Sequence, residues 1–130
     1  VGLAAPQVGR SIRVMVFDVG DGPRTLANPE LISLEGEQLG EEGCLSLPGL
    51  YAPVQRALRV RCEALDIDGK PVVIEADELL ARVLQHEVDH IDGILFIDRL
   101  DEEVRAEVFA QLRQQQFGIA PPPPDPARAL

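Results

Sequence analysis

The 130-residue sequence contains no tryptophan, one tyrosine, one methionine and only two cysteines, Cys44 and Cys62. Two cysteines are too few for a disulfide framework, and they suit a reducing compartment or a metal or catalytic role for one of them. The sequence also lacks an apolar run near the ~20 residues that a membrane-spanning helix needs, which excludes an integral membrane protein. Because the first residues lack the basic segment and apolar core of a signal peptide, we expect a cytoplasmic protein.

Cationic side chains are scarce as well. Lys and Arg total 12 against 22 Asp and Glu, which gives a formal net charge of −10. Phosphate binding needs clustered cations, so we expect no direct contact with nucleic acid. Hydrophobic residues make up 45% and charged residues 26% of the chain, a balance typical of one globular domain.

Several short segments carry strand patterns, and they come before the main helical pattern, which indicates an α+β domain. Asp68 and Gly69 predict the turn of a β-hairpin. Repeated glycine and proline assign residues 41–53 mostly to loops or short extended pieces. Apolar, β-branched and alternating patterns predict strands over residues 13–18, 31–34, 58–64 (with Cys62 facing inward), 72–75 and 94–97.

Two helices are predicted in the second half of the chain. Apolar residues between 79 and 91 recur at helical spacing, and we expect this helix to begin after Asp77 and end at Gly93. Residues 118–130 are rich in proline, which predicts an extended, disordered tail. The second predicted helix is capped at its start by Asp101 and has one apolar face, formed by Val104, Val108 and Leu112.

The only two histidines, His86 and His90, form an H-E-x-x-H pattern inside the first predicted helix. Residues four apart share one helix face, so the two imidazoles can bind one metal ion, with Glu87 beside it as a candidate base. One histidine on a helix is more often a core or surface residue, but the full pattern favours a metal site. The residue types leave the third ligand open between Cys44, Asp92, Asp98 and the acids that begin the last helix.

Three segments in this order resemble the peptide deformylase family: residues 2–7 (GLAAPQ), 42–46 (EGCLS) and 85–90 (QHEVDH). The similarity runs from Val1 to about Leu100. The family removes the formyl group from N-formylmethionine at the start of nascent chains, in bacteria and in organelles. The resemblance implies short antiparallel or mixed sheets around a central metal-binding helix. It also suggests a division into a catalytic domain, a C-terminal helix and the tail, at residues 1–100, 101–117 and 118–130.

The resemblance also implies roles for single residues. Cys44, His86 and His90 would hold one divalent metal ion, with Fe²⁺ as the usual ion of the family and Zn²⁺, Ni²⁺ or Co²⁺ as alternatives. Glu87 would accept the proton of the attacking water and pass it to the departing amine. The two donors that would stabilise charge on the formyl oxygen are the side-chain amide of Gln7 and the backbone N–H of Leu45.

The implied partner is an N-formylmethionyl nascent peptide, with transient ribosome association left open and no contact with a membrane. The acidic start of the last helix does not support ribosome docking through a basic helix. Glu42 is expected to pair with Arg56 and to position the Cys44 loop, and Arg82 is expected at the rim of the substrate pocket. Residues implied to bind the peptide backbone or the methionine side chain are Val1, Gly2, Gly43, Leu79 and Val83.

Two other interpretations stay open. A zincin-type peptidase would use both histidines with a downstream acid, and replacing Cys44 would then spare metal binding. A catalytically silent homologue that acts as an acidic binding module is disfavoured, because Glu87 and Gln7 are both present. The family's motif has a glycine and a helix before Val1, which leads us to expect an incomplete domain with an exposed apolar face.

Overall fold

The computed structural model describes residues 1–9, 12–44 and 47–116. Two 3-10 helices in this part of the chain span Ala5–Val8 and Phe96–Arg99. The longer elements are strands β1 (Gly2–Ala4), β2 (Val14–Phe17), β3 (Arg24–Glu35), β4 (Gln38–Cys44), β5 (Leu47–Arg56), β6 (Arg59–Leu65) and β7 (Pro71–Asp77), and helices α1 (Glu78–Ile91) and α2 (Glu102–Gln116). No helix in the described residues is long and apolar enough to cross a membrane.

The strands form two antiparallel sheets. Five strands pair in the order β1-β2-β3-β6-β7, and β4 and β5 form a separate hairpin. Together with α1 and α2, this arrangement confirms the predicted α+β class with a C-terminal helix. The tail predicted over residues 118–130 lies outside the described residues, and the division into domains stays a prediction.

Alternation along β6 explains how the large sheet covers its core. Val60, Cys62 and Ala64 are buried, whereas the residues between them are exposed. This confirms that Cys62 faces inward, and burial raises the pKa of its thiol. Helix α1 packs Val83 and Leu84 into the same apolar cluster, so removal of apolar surface from water holds the helix against the sheet.

A second apolar cluster attaches α2 to the hairpin. Leu50 and Val54 of β5 pack with Phe96 and with Val108, which is buried on the predicted apolar face of α2. The Val104 N–H donates to the Asp101 carboxylate at 3.0 Å, which confirms the predicted cap of this helix. Because clusters lie on both sides of α1, every residue from 81 to 90 is buried.

The interpretation of residues 41–53 as mostly loops or short extended pieces is confirmed only for its extended part, because residues 41–44 and 47–53 lie in the paired strands of the β4–β5 hairpin. Both strands of a two-stranded sheet are edge strands, which tolerate a proline such as Pro53. Gly49 has a φ of 76°, and the register shifts between Gly43 and Cys44, so irregular backbone is built into a paired hairpin. Glycine and proline therefore bend these strands without ending them.

The strand predicted over residues 94–97 is wrong. This segment leads into the 3-10 helix Phe96–Arg99, although Phe96 and Ile97 are buried as expected. A short apolar run reports burial but does not distinguish a strand from a helical turn. The predicted turn at Asp68 and Gly69 is confirmed within the loop between β6 and β7, where the Asp66 carboxylate accepts the Asp68 N–H at 2.9 Å.

Glu78 holds a strained backbone conformation where β7 turns into α1. Its φ of 49° lies in the left-handed region, which costs a residue with a Cβ roughly 1–2 kcal/mol. Its N–H donates to the Leu58 carbonyl at 3.0 Å, and its carbonyl accepts from Gln38 Nε2 at 2.9 Å. These two hydrogen bonds hold the backbone of Glu78 in the left-handed conformation, so the strain is not relieved in the folded protein.

We predict that Glu78→Gly raises the free energy of unfolding by up to about 1 kcal/mol, because glycine adopts this φ without steric cost. Urea unfolding of the metal-free protein measures the change. Glu107→Gly is the matched control, since it lies in the interior of α2 and should destabilise by about 1 kcal/mol. Equal destabilisation by both substitutions would contradict the proposed strain.

Candidate metal centre

The two histidines of α1 lie side by side in the protein interior. Their Nε2 atoms are 3.0 Å apart, and both side chains are buried. The ring centroids are separated by 4.7 Å, as expected for residues four apart on one helix face. One potential ligand atom from each of His86, Glu87 and His90 lies within 4.8 Å of the others. The helix therefore brings together the three residues that its pattern predicts.

This geometry fits a metal ion. Two nitrogens bound to one ion at about 2.0–2.1 Å in tetrahedral geometry would be about 3.3 Å apart. The observed 3.0 Å between the Nε2 atoms is close to that value. Imidazole is a borderline donor that suits Zn²⁺, Fe²⁺, Ni²⁺ and Co²⁺ alike, so the two rings do not select among these ions.

Glu42 orients the first of these rings. His86 Nδ1 donates to Glu42 Oε1 at 2.8 Å, and both side chains are buried. A neutral imidazole that donates from Nδ1 keeps its lone pair on Nε2, the nitrogen that faces His90. Contacts of this kind fix the tautomer and the ring plane of metal-binding histidines. Through Glu42, the β4–β5 hairpin thus holds the His86 ring with Nε2, the potential metal ligand, directed toward His90.

The Glu42 carboxylate stays ionised despite its burial. Burial by itself would raise its pKa, but hydrogen bonds from Arg56 and His86, together with the positive charge of Arg56, outweigh burial and lower the pKa to about 2. Arg56 donates to both carboxylate oxygens, from Nε and from Nη2, at 2.9 Å each. This bidentate contact is the pairing that the sequence predicts between Glu42 and Arg56.

The pair belongs to a longer network in which cations and anions alternate. On one side, Arg82 Nη1 donates to Glu42 Oε2 at 2.5 Å. On the other, Arg56 Nη1 donates to Asp89 Oδ2 at 2.5 Å. Asp89 also accepts from Arg99, from Nε at 3.1 Å and from Nη2 at 2.9 Å. Each carboxylate is therefore shared between two guanidinium groups.

The position of Arg82 corrects one prediction. We expected this side chain at the rim of a substrate pocket, yet it is 5% exposed and points toward the hairpin. Arg82 lies one turn before His86, on the helix face that β4 and β5 cover. Sequence reasoning also assigned no role to Asp89 or Arg99. Charged residues at 82 and 89, inside the helical apolar pattern, were the available signal.

Two glycines allow close approach of the backbone, Gly2 to Glu87 of the candidate centre and Gly43 to the Tyr51 ring in the hairpin. A Cβ at Gly2 would lie 2.8 Å from Oε1 of Glu87, so β1 passes directly over this buried carboxylate. A Cβ at Gly43 would lie 2.3 Å from the ring of Tyr51. Any larger residue at Gly2 or Gly43 must therefore displace its neighbour.

The other predicted site residues are distributed around this centre. Leu79 is 49% exposed at the start of α1, Val83 is buried in the core of the large sheet, and Val1 is exposed before β1. The backbone of Cys44 ends β4, and the backbone of Gln7 lies in the first 3-10 helix. The side chains of Cys44 and Gln7, and the whole of Leu45, lie outside the described residues.

Glu42→Gln should lower the free energy of unfolding by about 3–5 kcal/mol, because it leaves buried guanidinium groups without their anion. Urea unfolding of the metal-free protein tests this value. Glu35→Gln is the matched control: its contact with Arg59 is 3.7 Å long and exposed, so a change within about 0.5 kcal/mol is expected. Similar losses in the two variants would show that the buried network has no special role in stability.

A family model described as Polypeptide deformylase matches residues 1–106. Peptide deformylase of Desulfitobacterium hafniense is 56% identical over 105 residues, which cover 81% of this chain and 70% of that protein. The relative from Acidothermus cellulolyticus is 50% identical over 117 residues, which cover 90% of this chain and 65% of that protein.

Solved structures give the same result. The crystal structure of peptide deformylase from Thermus thermophilus superposes with a TM-score of 0.85 at 45% identity, covering 91% of this chain and 72% of that one. The peptide deformylase from Synechococcus elongatus, solved in complex with actinonin, gives a TM-score of 0.83 at 40% identity, covering 96% and 68%.

Proposed function

The chain belongs to the polypeptide deformylase family, and we propose that the residues of α1 form the active site for the reaction of this family. That reaction is the hydrolysis that removes the formyl group from N-formylmethionine on nascent polypeptides. The observation that carries the proposal is the pair of buried imidazoles with Nε2 atoms 3.0 Å apart and Glu87 between them in sequence. A bare H-E-x-x-H helix would also fit a peptidase, but the family match extends over residues 1–106, which include both sheets and α1.

We propose that Cys44, His86 and His90 hold one divalent ion, with Fe²⁺ as the physiological metal and Zn²⁺, Ni²⁺ or Co²⁺ as substitutes. Cys44 stands two residues after Glu42 in β4, and the Glu42 carboxylate contacts His86. This placement in the chain supports the thiolate as third ligand. When bound, the ion acts as a Lewis acid that polarises the formyl carbonyl and lowers the pKa of a coordinated water.

Glu87 is the proposed general base and acid. It is fully buried beside His86, and β1 covers it through Gly2. Its carboxylate takes a proton from the attacking water and delivers it to the amine nitrogen as the C–N bond breaks, which releases formate and a free amino terminus. The Gln7 amide and the Leu45 N–H donate to the formyl oxygen as it becomes negative.

The peptide backbone of the substrate is proposed to bind along Val1, Gly2 and Gly43. β1 is an edge strand of its sheet, so its outer edge can accept another extended chain. Leu79 and Val83, one helical turn apart on α1, are proposed to line the pocket for the methionine side chain together with Val1. The partial exposure of Leu79 supports this role.

The substrate sets the proposed partner and location. A formylated N-terminus is presented by a nascent polypeptide, which supports the proposal that the chain acts in the bacterial cytoplasm, or in an organelle as the alternative, with transient access to the ribosome. The net charge of −10 supports the proposal that neither nucleic acid nor an anionic membrane surface is bound directly.

Formate release from a formyl-Met-Ala-Ser peptide, measured anaerobically with Fe²⁺- or Ni²⁺-loaded protein, tests the proposed function. Glu87→Gln should lower kcat by about 10²–10⁴-fold, because the proton transfer loses its carrier while the side-chain volume is kept. Metal content should be unchanged. Glu107→Gln, on exposed α2 surface, is the control and should keep full activity. Loaded protein that cleaves unformylated peptides and ignores formylated ones would overturn the assignment.

Cys44→Ala should abolish stoichiometric metal binding, because an open site with only two imidazoles lacks its third protein ligand. Metal content after dialysis, measured by elemental analysis, provides the readout. Cys62→Ala is the matched control, since the Cys62 thiol is buried in the core of the large sheet. If Cys44→Ala retains one metal per chain, a downstream acid is the ligand and the zincin interpretation gains support.

A further inference from the structure

Arg82 connects the metal-binding helix to both strands of the β4–β5 hairpin. Its Nη1 donates to Glu42 Oε2 at 2.5 Å, to the Val54 carbonyl at 3.0 Å and to the Gly40 carbonyl at 3.2 Å. Its Nη2 donates to the Gln38 carbonyl at 3.4 Å. The side chain is only 6% exposed, so water does not replace these acceptors. One guanidinium thus fixes the separation between α1 and the hairpin.

We infer that Arg82 is a positioning residue for the metal centre, an inference that rests on the function proposed above. Arg82 and His86 are four residues apart on α1 and contact opposite oxygens of the same carboxylate, Oε2 and Oε1 of Glu42. Arg56 also binds this carboxylate, but it lies on the hairpin itself, where it pairs with Gln38 in the ladder. Arg82 therefore fixes the position of the Glu42 carboxylate relative to α1, and with it the hydrogen bond that Glu42 accepts from His86.

The structure also explains why position 40 is glycine. A Cβ at Gly40 would lie 3.0 Å from Nη2 and 3.1 Å from Cζ of Arg82. Four acceptors hold the guanidinium in place, so it cannot swing aside without losing its contact with Glu42. A side chain at position 40 therefore acts on the metal centre through Arg82, and positions 40 and 82 are energetically coupled.

Loss of Arg82 should weaken metal binding without removing a ligand. Substitution of the groups that orient metal-binding histidines typically lowers affinity by about 10- to 100-fold. We expect this loss for Arg82→Met, which keeps the unbranched stem but removes the donors. Arg82→Lys keeps the charge but lacks the planar fork, so it should restore only part of the affinity.

A double-mutant cycle on the full chain tests the coupling. The dissociation constant for Zn²⁺ is measured by chelator competition for the wild type, Arg82→Met, Gly40→Val and the double variant, and the visible absorption spectrum of the Co²⁺ forms reports the ligand geometry. Each single variant should bind more weakly and shift the Co²⁺ bands. The double variant should bind no more weakly than Arg82→Met, since Gly40→Val acts by displacing a guanidinium that is then absent.

Arg61→Met is the control for removal of an arginine, because Arg61 lies on the exposed face of β6, and it should leave the affinity and the spectrum unchanged. Wild-type affinity and spectrum in Arg82→Met would overturn the inference, as would additive losses in the double variant. If Arg82→Met does not fold, Gly40→Val and Arg82→Lys are compared with wild type instead. Weaker Zn²⁺ binding with shifted Co²⁺ bands in both variants supports the inference, and wild-type affinity and spectrum in both overturn it. Formate release by the wild type is scored separately, so failure of the proposed function leaves the metal-binding result interpretable.

Discussion

A fully buried carboxylate, that of Glu42, is the constraint on which this structure depends. An isolated anion in the protein interior is strongly disfavoured, so each of its oxygens must accept hydrogen bonds from charged or polar donors. Arg56, Arg82 and His86 provide those donors. Because the donors come from a strand and from a helix, satisfying one charge also joins the hairpin to α1 and sets the orientation of the His86 ring in the candidate metal centre.

The fold explains why such a charge is needed inside. Helix α1 is covered by the large sheet on one side and by the hairpin on the other, so polar residues in its middle cannot reach water. On the side toward the sheet, apolar residues of α1 pack into the core of the large sheet. On the opposite side, His86 and His90 need a polar environment if they are to bind a cation, and Glu42 supplies it while remaining matched by Arg56. One face of α1 therefore packs against the large sheet, and the opposite face carries the residues of the candidate metal centre.

Local patterns predicted the parts of the molecule that local forces determine. The alternation of β6 and the helical spacing of α1 directly reflect burial, and the i, i+4 spacing places His86 beside His90 whatever surrounds them. The hairpin was missed because glycine and proline mark both loops and bent edge strands. The network was missed beyond its first pair because its partners are distant in sequence: 40 residues separate Arg82 from Glu42, and 33 separate Arg56 from Asp89. Because its partner Glu42 is not evident from the local sequence, Arg82 was predicted to lie at the rim of the substrate pocket.

The two ends of the alternating network differ in their access to solvent. The Arg99 side chain is 46% exposed, whereas the Arg82 side chain is 6% exposed. Water can solvate Asp89 if the outer cation is lost, but nothing replaces the inner one. Loss of the cation should therefore cost less stability at Arg99, where solvent reaches the side chain, than at Arg82, where it does not.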